Sequence, residues 1–288
     1  MSIRGKSGTR QTHSIGGNVM AFLFLVLVGL FMLLPFVYSI VQSLKPMEEL
    51  FVFPPKFYVR HPTLDNFRDL LLRTNNMWVP LERYLFNSVL LSVAGTLLSV
   101  VISAMAAYPL AKYVFPGSRV FEKLVVLSLL FVYEVTAIPQ YILLSRFGMI
   151  DTLWALLLPA LSSTLGLYLM KNFMTQLPDE MMEAARVDGA GHGRIFTHIV
   201  LPNIKPALVT VVILTFQTLW NRGTGSYIFT EQLKNLPTLL SQISTTNTVS
   251  TAGVSAAATV ILMLPPIVVF VSSQSQVVET MAYSGIKG

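Results

Sequence analysis

Residues 183–202 read Glu183-Ala-Ala-Arg-Val-Asp-Gly-Ala-Gly-His-Gly-Arg-Ile-Phe-Thr-His-Ile-Val-Leu-Pro202. The run is polar, rich in small residues and broken by Gly189, Gly191 and Gly193, in a chain that is otherwise strongly apolar. Hydrocarbon offers such a stretch nothing, because no water is there to satisfy its backbone and side-chain polar groups. It therefore belongs outside a bilayer, where it must meet something. The rest of the chain, read outward from this point, is an all-α membrane protein.

Of 288 residues, 53% are hydrophobic and 12% charged, with a mean hydropathy of +0.63. Soluble domains carry roughly 25% charged residues, so the bilayer is the solvent. The formal net charge is +6, but the basic residues are scattered singly and form no stripe for nucleic acid. A modest basic excess suits anionic lipid. Cysteine is absent, which excludes disulfides, thiol catalysis and cysteine metal sites. His13, His61, His192 and His198 are dispersed, with no His-Glu-x-x-His pattern, so no metal site is expected. A membrane-embedded enzyme would need paired carboxylates or a nucleophile motif, and neither is found. The phosphate-binding pattern G-x-x-x-x-G-K-[ST] is also missing. Gly5-Lys6-Ser7 carries only its tail, in a basic N-terminal stretch. The chain cannot power itself.

A helix needs about 20 apolar residues to cross the hydrocarbon. Six stretches are read as spans: about 19–41, 84–110, 124–144, 153–170, 206–220 and 254–272, the fifth a little short. The first is longer than a signal-peptide core and reads as a retained anchor after a tail over 1–18. Six spans put both termini on one side. Arg4, Lys6 and Arg10 lie in the tail, and Lys112, Arg119 and Lys123 lie between the second and third spans. The opposite short loop has only Arg146 with Asp151. Basic residues mark the cytoplasmic side, so both termini and the 183–202 run are expected there. Pro139, Pro159 and Pro265-Pro266 predict kinked spans. Small-residue clusters at 103–107 and 255–258 predict close helix packing.

Within the polar run, Pro178 suits a first helical turn, and Asp179 and Glu180 complement its positive end. Residues 181–187 continue that helix and the glycines break it. Residues 194–200 form a second short helix, expected to stop before Pro202. Ala184 and Ala185 let a partner surface come close. Pattern alone leaves two readings: a docking element, or a loop helix resting on lipid headgroups.

Glu-Ala-Ala, three residues, Gly189, nine residues and Ile199-x-Leu201-Pro202 resemble, at every spacing, the EAA motif of ATP-binding-cassette importer permeases. Further stretches are similar to carbohydrate-uptake permeases of the type of the maltose importer's smaller membrane subunit. They are Pro62–Phe67, Asn87-Ser88, Ala107–Ala111, Phe115-Pro116-Gly117, Ile138-Pro139, Gly148–Ala155, Trp220-Asn221 and Gly285–Gly288. The resemblance implies the type I importer fold over 19–288, with six transmembrane helices and a coupling helix, within 178–202, between the fourth and fifth. It implies a multi-pass subunit of a bacterial cytoplasmic membrane, driven by two ATPase subunits and fed with sugar by a solute-binding protein. A second, different permease would form the other half of the path. ATP and magnesium would be bound by the ATPases, and no cofactor by this chain. Glu183 would be the charged contact, Ala184 and Ala185 the close-packing surface and Gly189 the bend, with Asp188, Ile199, Leu201 and Pro202 completing the coupling segment.

Polar groups within spans are functional candidates, because burying them in lipid is costly. They are Glu134, expected mid-span, Gln140, and Gln217, Asn221 and Arg222 on or just past the fifth span, with Tyr133, Tyr141 and Trp220 as aromatic companions for a sugar ring. Glu134 either contacts solute or pairs within the bundle. The resemblance implies a polar, uncharged residue at 134 and an acidic or small one after Trp-Asn. Glu134 and Arg222 depart from that, and the guanidinium of Arg222 suits an acidic glycan. Related systems also place solute contacts on the other permease. A permease for a non-sugar solute, a channel and a scaffold remain as alternatives.

Overall fold

A computed structural model describes residues 15–75, 79–245 and 251–285. The basic tail with Gly5-Lys6-Ser7 and the last three residues of the terminal motif lie outside these. Among the described residues all regular structure is helical. The order is α1 (Ile15–Ser43), α2 (Met47–Leu50), α3 (Asp65–Asn75), α4 (Leu81–Lys112), α5 (Ser118–Ser128), α6 (Tyr133–Arg146), α7 (Trp154–Leu161) and α8 (Thr164–Thr175). Then come α9 (Asp179–Val187), α10 (His192–Ile195), a π-helical turn (Phe196–Val200), α11 (Leu201–Asn203), α12 (Lys205–Asn221), α13 (Leu236–Thr245) and α14 (Ala252–Gly285).

The second apolar run becomes the axis of the bundle. At 1.5 Å per residue, α4 is roughly 48 Å long, more than the ~30 Å hydrocarbon core. Its buried face includes Ser88, Ser92, Gly95, Thr96, Ser99, Ser103, Ala104 and Ala107. These recur at helical spacing and are small, so α7, α8 and α12 pack closely against it. A Cβ on Gly95 would stand 2.7 Å from Leu219 Cδ1. Ser92, Thr96 and Ser99 are buried without a side-chain hydrogen-bond partner, so their size, more than their hydroxyls, suits them to this face. By contrast α1 exposes nearly all its large apolar side chains and leans on α14. A helix apolar all round is at home in lipid.

Both ends of α4 hold loops. At its start, the Asn87 amide donates to Gln232 O and Lys234 O, each at 2.8 Å, and Ser88 Oγ accepts from Leu236 N. At its finish, Lys112 holds the segment entering α9. The long connection after α1 is ordered by Asn66, whose amide donates to Ser43 O and Lys45 O.

Among the described residues four helical stretches are long and apolar enough to cross a membrane: Val19–Ser43, Leu81–Lys112, Trp154–Thr175 and Ala252–Gln274. His192–Asn203 with Lys205–Asn221, bent by 79°, makes a fifth if counted as one span. The single helix expected over 124–144 is instead two, α5 and α6, separated by residues 129–132. Ser128 turns its hydroxyl onto Val125 O, competing with the helical ladder. Weak helix formers (Phe131, Val132, Tyr133) follow. Glu134 therefore sits in the first turn of α6, where a helix welcomes an acid, and not mid-span. The stretch over 153–170 also divides, at Ser162-Ser163, three residues after Pro159. Proline ends α7, and Ser163 restarts the chain by capping Gly166 N at 3.1 Å.

Close packing at Gly95 predicts asymmetric mutational sensitivity. Gly95→Leu overpacks the α4–α12 contact and is expected to destabilise by about 1–3 kcal/mol, read as a lowered thermal midpoint in detergent. Gly29→Leu, where a Cβ would meet nothing within 4 Å, leaves the midpoint unchanged or raised. Equal effects at the two sites would refute the packing role of Gly95.

Candidate functional site

The polar run folds as a bent lever. In α9, Asp179 and Glu180 occupy the first turn behind Pro178, favourably placed against the helix dipole. The helix ends where Gly189 N donates to Arg186 O at 3.0 Å and Ala190 N to Ala185 O at 2.9 Å. This double bond with a left-handed residue between is a Schellman motif, and Gly189 has φ +81°. Any L side chain there is strained, although no atom would touch its Cβ. Ala185 and Ala190 close the motif against an inner cluster that includes Met170, Met174, Met182 and Ile195. Glu183, Ala184, Val187 and Asp188 face outward. Of the alanine pair, Ala184 is therefore the one left open to a partner.

The second arm does not stop before Pro202. It continues through the π-turn into α11, and Leu201 N donates to Phe196 O, five residues back. The widened turn accommodates a proline that can neither donate nor tolerate a carbonyl close to its ring. The Asn203 amide donates to Ile199 O at 2.7 Å. Ile199 and Leu201 pack on the inner cluster, while Pro202 is exposed.

Residues that sequence reasoning passed over hold this lever to α4. Lys112, counted above only for topology, has a side chain 4% exposed, and its Nζ donates to Leu177 O at 2.5 Å and Asp179 Oδ1 at 2.8 Å. Tyr113 shares a hydrogen bond with His192 Nδ1 at 2.8 Å and accepts one from Arg186 at 3.2 Å. Tyr108 bonds Tyr113 through the hydroxyls and packs its ring on Phe196. The Ala107–Ala111 motif was the available signal.

At the other end of the bundle a second latch forms. The Asp151 carboxylate accepts from Phe229 N and Thr230 N at 2.8 Å and from the Thr230 hydroxyl at 2.5 Å, and Asp151 N donates to Tyr227 O. Tyr227 lies against the Tyr133 hydroxyl and near Tyr141. The Arg222 guanidinium lies over the Tyr133 ring, 4.6 Å from its centre. Arg222 also closes a cavity of about 270 Å³ between the α7–α8 break and α12, with Ser162, Ser163, Thr164, Thr215 and Thr218 in its wall.

The expected path residues do not converge. Tyr133 and Arg222 meet, but Gln217 and Asn221 line a different cavity, of about 320 Å³, against α14 and Phe36 of α1. Trp220, expected beside the passage, is a core residue: it is 1% exposed, donates Nε1–H to Leu262 O at 2.9 Å and stacks on Phe216. Glu134 is exposed on the surface of α6, and Gln140 Nε2 is buried without a partner. The threonines of the Arg222 cavity gave no pattern in sequence, since they come together only across the helix break.

The hydroxyl of Thr230, then the amides of Thr230 and Phe229, hold the Asp151 carboxyl below its usual value. A depressed carboxyl stabilises the fold above its unfolded value of about 3.9. The contribution is lost as pH falls through the lower folded value. Wild-type protein should thus lose thermal stability on acidification below about pH 4 more steeply than Asp151→Asn, which starts lower at neutral pH. Parallel pH profiles would remove Asp151 from the latch.

Comparison with known proteins places this geometry. The family model described as binding-protein-dependent transport system inner membrane component matches residues 92–282. Protein LplC of Bacillus subtilis (strain 168) is 31% identical, over 94% of this chain and 95% of its own. The arabinooligosaccharides transport system permease protein AraQ of Halalkalibacterium halodurans is 28% identical, over 93% and 94%. A solved bacterial ABC transporter involved in the import of the acidic polysaccharide alginate has the same fold, with TM-score 0.76 and 22% identity over 91% of this chain and 98% of that one. With two thirds of its length matched by the family and nearly all of it by a curated relative, this chain belongs to the binding-protein-dependent transport system inner membrane components.

Proposed function

We propose that the chain is a permease subunit of an ATP-driven importer of sugars, oligosaccharides above all. It crosses the bacterial inner membrane six times, with α5–α6 and α7–α8 as broken third and fourth passes, α12 as the fifth and α14 as the sixth. Both termini and the α9–α11 segment are cytoplasmic. The partners are a second, different permease, two ATPase subunits that carry ATP and magnesium, and a solute-binding protein on the far side. The chain itself performs no chemistry. The name of the arabinooligosaccharide relative supports the sugar.

The observation that carries the proposal is the split character of α9. One face, Glu183, Ala184 and Val187, is bare, and Val187 is 87% exposed. The other is fastened to the bundle through Met182 and Ala185 and, at its start, through Asp179 on Lys112. A lone loop helix needs no such fastening. A lever does, because force applied to Glu183 must reach the membrane helices without being absorbed by a hinge. Closure of the ATPases on ATP draws the lever inward, and its bonds to α4 and packing on α8 tilt those helices. Hydrolysis releases them, so the path opens alternately to the two sides.

Glu183→Lys in the co-expressed complex tests the docking role. Its exposure predicts an unchanged thermal midpoint for the isolated subunit. Co-purification of the ATPases is expected to fall about tenfold or more, the loss of 1.4 kcal/mol or more of contact energy, and sugar uptake to be lost. Normal assembly with coupled uptake would rule the docking role out.

A further inference from the structure

The cavity at the α7–α8 break lies outside the 178–202 segment, and its wall mixes hydroxyls with one cation. Arg222 stands at one end of it. Among the described residues the ion pairs are Lys112–Asp179, Lys171–Glu122 and Lys234–Glu231, none of which involves Arg222. No acidic side chain lines the cavity. A guanidinium in a membrane bundle without a carboxylate partner is costly and marks a functional position. The group lies over the Tyr133 ring and also bears on the Tyr133 hydroxyl; a guanidinium has five N–H donors, so others remain for further acceptors.

The position is also rigid. Asn235, 2% exposed, donates its amide to Arg222 O at 2.7 Å. Two residues on, Thr224 N donates to the Thr238 hydroxyl at 2.7 Å. The backbone from which Arg222 projects is therefore fixed, and Tyr133 braces its guanidinium. Thr215, two turns before Arg222 on the same face of α12, and Thr164 at the start of α8 line the cavity with hydroxyls that make no hydrogen bond among the described residues. Ser163 Oγ accepts from Gly166 N, so its own O–H is still available to donate. Ser162 and Thr218 are already committed to Pro159 O and Leu214 O.

A guanidinium braced on Tyr133 and three available hydroxyl donors share one cavity with no acid in its lining, a composition that suits an oxyanion on a hydroxylated ligand. We propose that this cavity binds the charged group of an anionic carbohydrate, a carboxylate or a phosphate ester, with Arg222 as its principal contact and Ser163, Thr164 and Thr215 as supporting donors. The assignment rests on the sugar-importer reading and narrows it to acidic sugars. At about 270 Å³ the cavity lies near the lower edge of the 300–1,000 Å³ typical of small-molecule pockets, room for one sugar unit at a time. Arg222 and Tyr133 bring one side of the cavity near Tyr227 of the Asp151 latch, while Leu169 and Val211 border the inner cluster beneath the lever.

The test uses the complete complex in proteoliposomes with its own binding protein. The probes are tetragalacturonate against its neutral methyl ester, and glucose 6-phosphate against glucose. The binding protein is common to every arm, so its preference cancels in variant-to-wild-type ratios. Wild type is expected to favour one charged probe over its neutral twin. Arg222→Gln should reduce that preference about 10- to 100-fold, the range of a charge-assisted hydrogen bond. Arg222→Lys should fall between, and Thr215→Val, nearly isosteric, should weaken the preference several-fold even if Arg222→Gln fails to assemble. A preference confined to the phosphate pair names a phosphate ester, and one confined to the uronate pair a carboxylate. Sugar import without charge preference, or equal loss of charged and neutral uptake in the variants, overturns the assignment and leaves the importer standing. A wild-type complex that imports none of the probes overturns both.

Discussion

Backbone hydrogen bonding without water is the constraint from which the rest of this structure follows. In hydrocarbon an unpaired N–H or C=O costs several kcal/mol, so the chain is helical wherever it can be. It leaves the helix only where something covers the loose ends. At Ser162-Ser163 a serine cap takes an N–H of the restarted helix. After α12, Asn235 covers the Arg222 carbonyl. Beyond it the Asp151 carboxylate collects the amides of Phe229 and Thr230. In the polar run the Schellman bonds close α9, and the π-turn re-pairs the ladder ahead of Pro202. Each break that is covered in this way becomes a feature of shape: a cavity, a latch or a lever.

The two ends of the bundle use charge differently. Lys112 is almost wholly buried at the lever end, but it has a carbonyl and a carboxylate to itself. Its charge is neutralised inside the chain, and its role is to hold. Arg222 at the other end has an aromatic face and open donors. α4 joins the two ends, bonded to the 231–236 stretch through Asn87 and Ser88 and to the lever through Lys112. Its small buried face lets α8 and α12 pack against it closely. On the proposed function, this packing is what would carry motion of the lever to the helices that wall the cavity.

Much of this was legible from residues alone. Apolar length located α1, α4, α12 and α14, because lipid rewards hydrophobicity independently of partners. The residues from Pro178 to Val200 announced two short helices and Gly189 the bend between them, because only glycine enters the left-handed region freely. The breaks inside 124–144 and 153–170 were hidden. Pro139 and Pro159 announce kinks, but a serine that turns its hydroxyl onto the backbone looks like any other small residue in a span. Trp220 misled for a related reason: an aromatic beside polar residues suits a sugar passage as well as a core, and only the carbonyl of Leu262 decides between them.

Sequence by itself determined that the chain is helical, lives in a membrane and carries an exposed, glycine-bent segment, since these depend on local chemistry and on hydrophobic length. Tertiary structure decided which of the polar residues act together. Arg222, Tyr133, Thr164 and Thr215 come from three helices and a break, and Lys112 meets Asp179 across 67 positions of the chain. Such juxtapositions are set by how helices pack, through the sum of many small contacts that no single stretch of residues records.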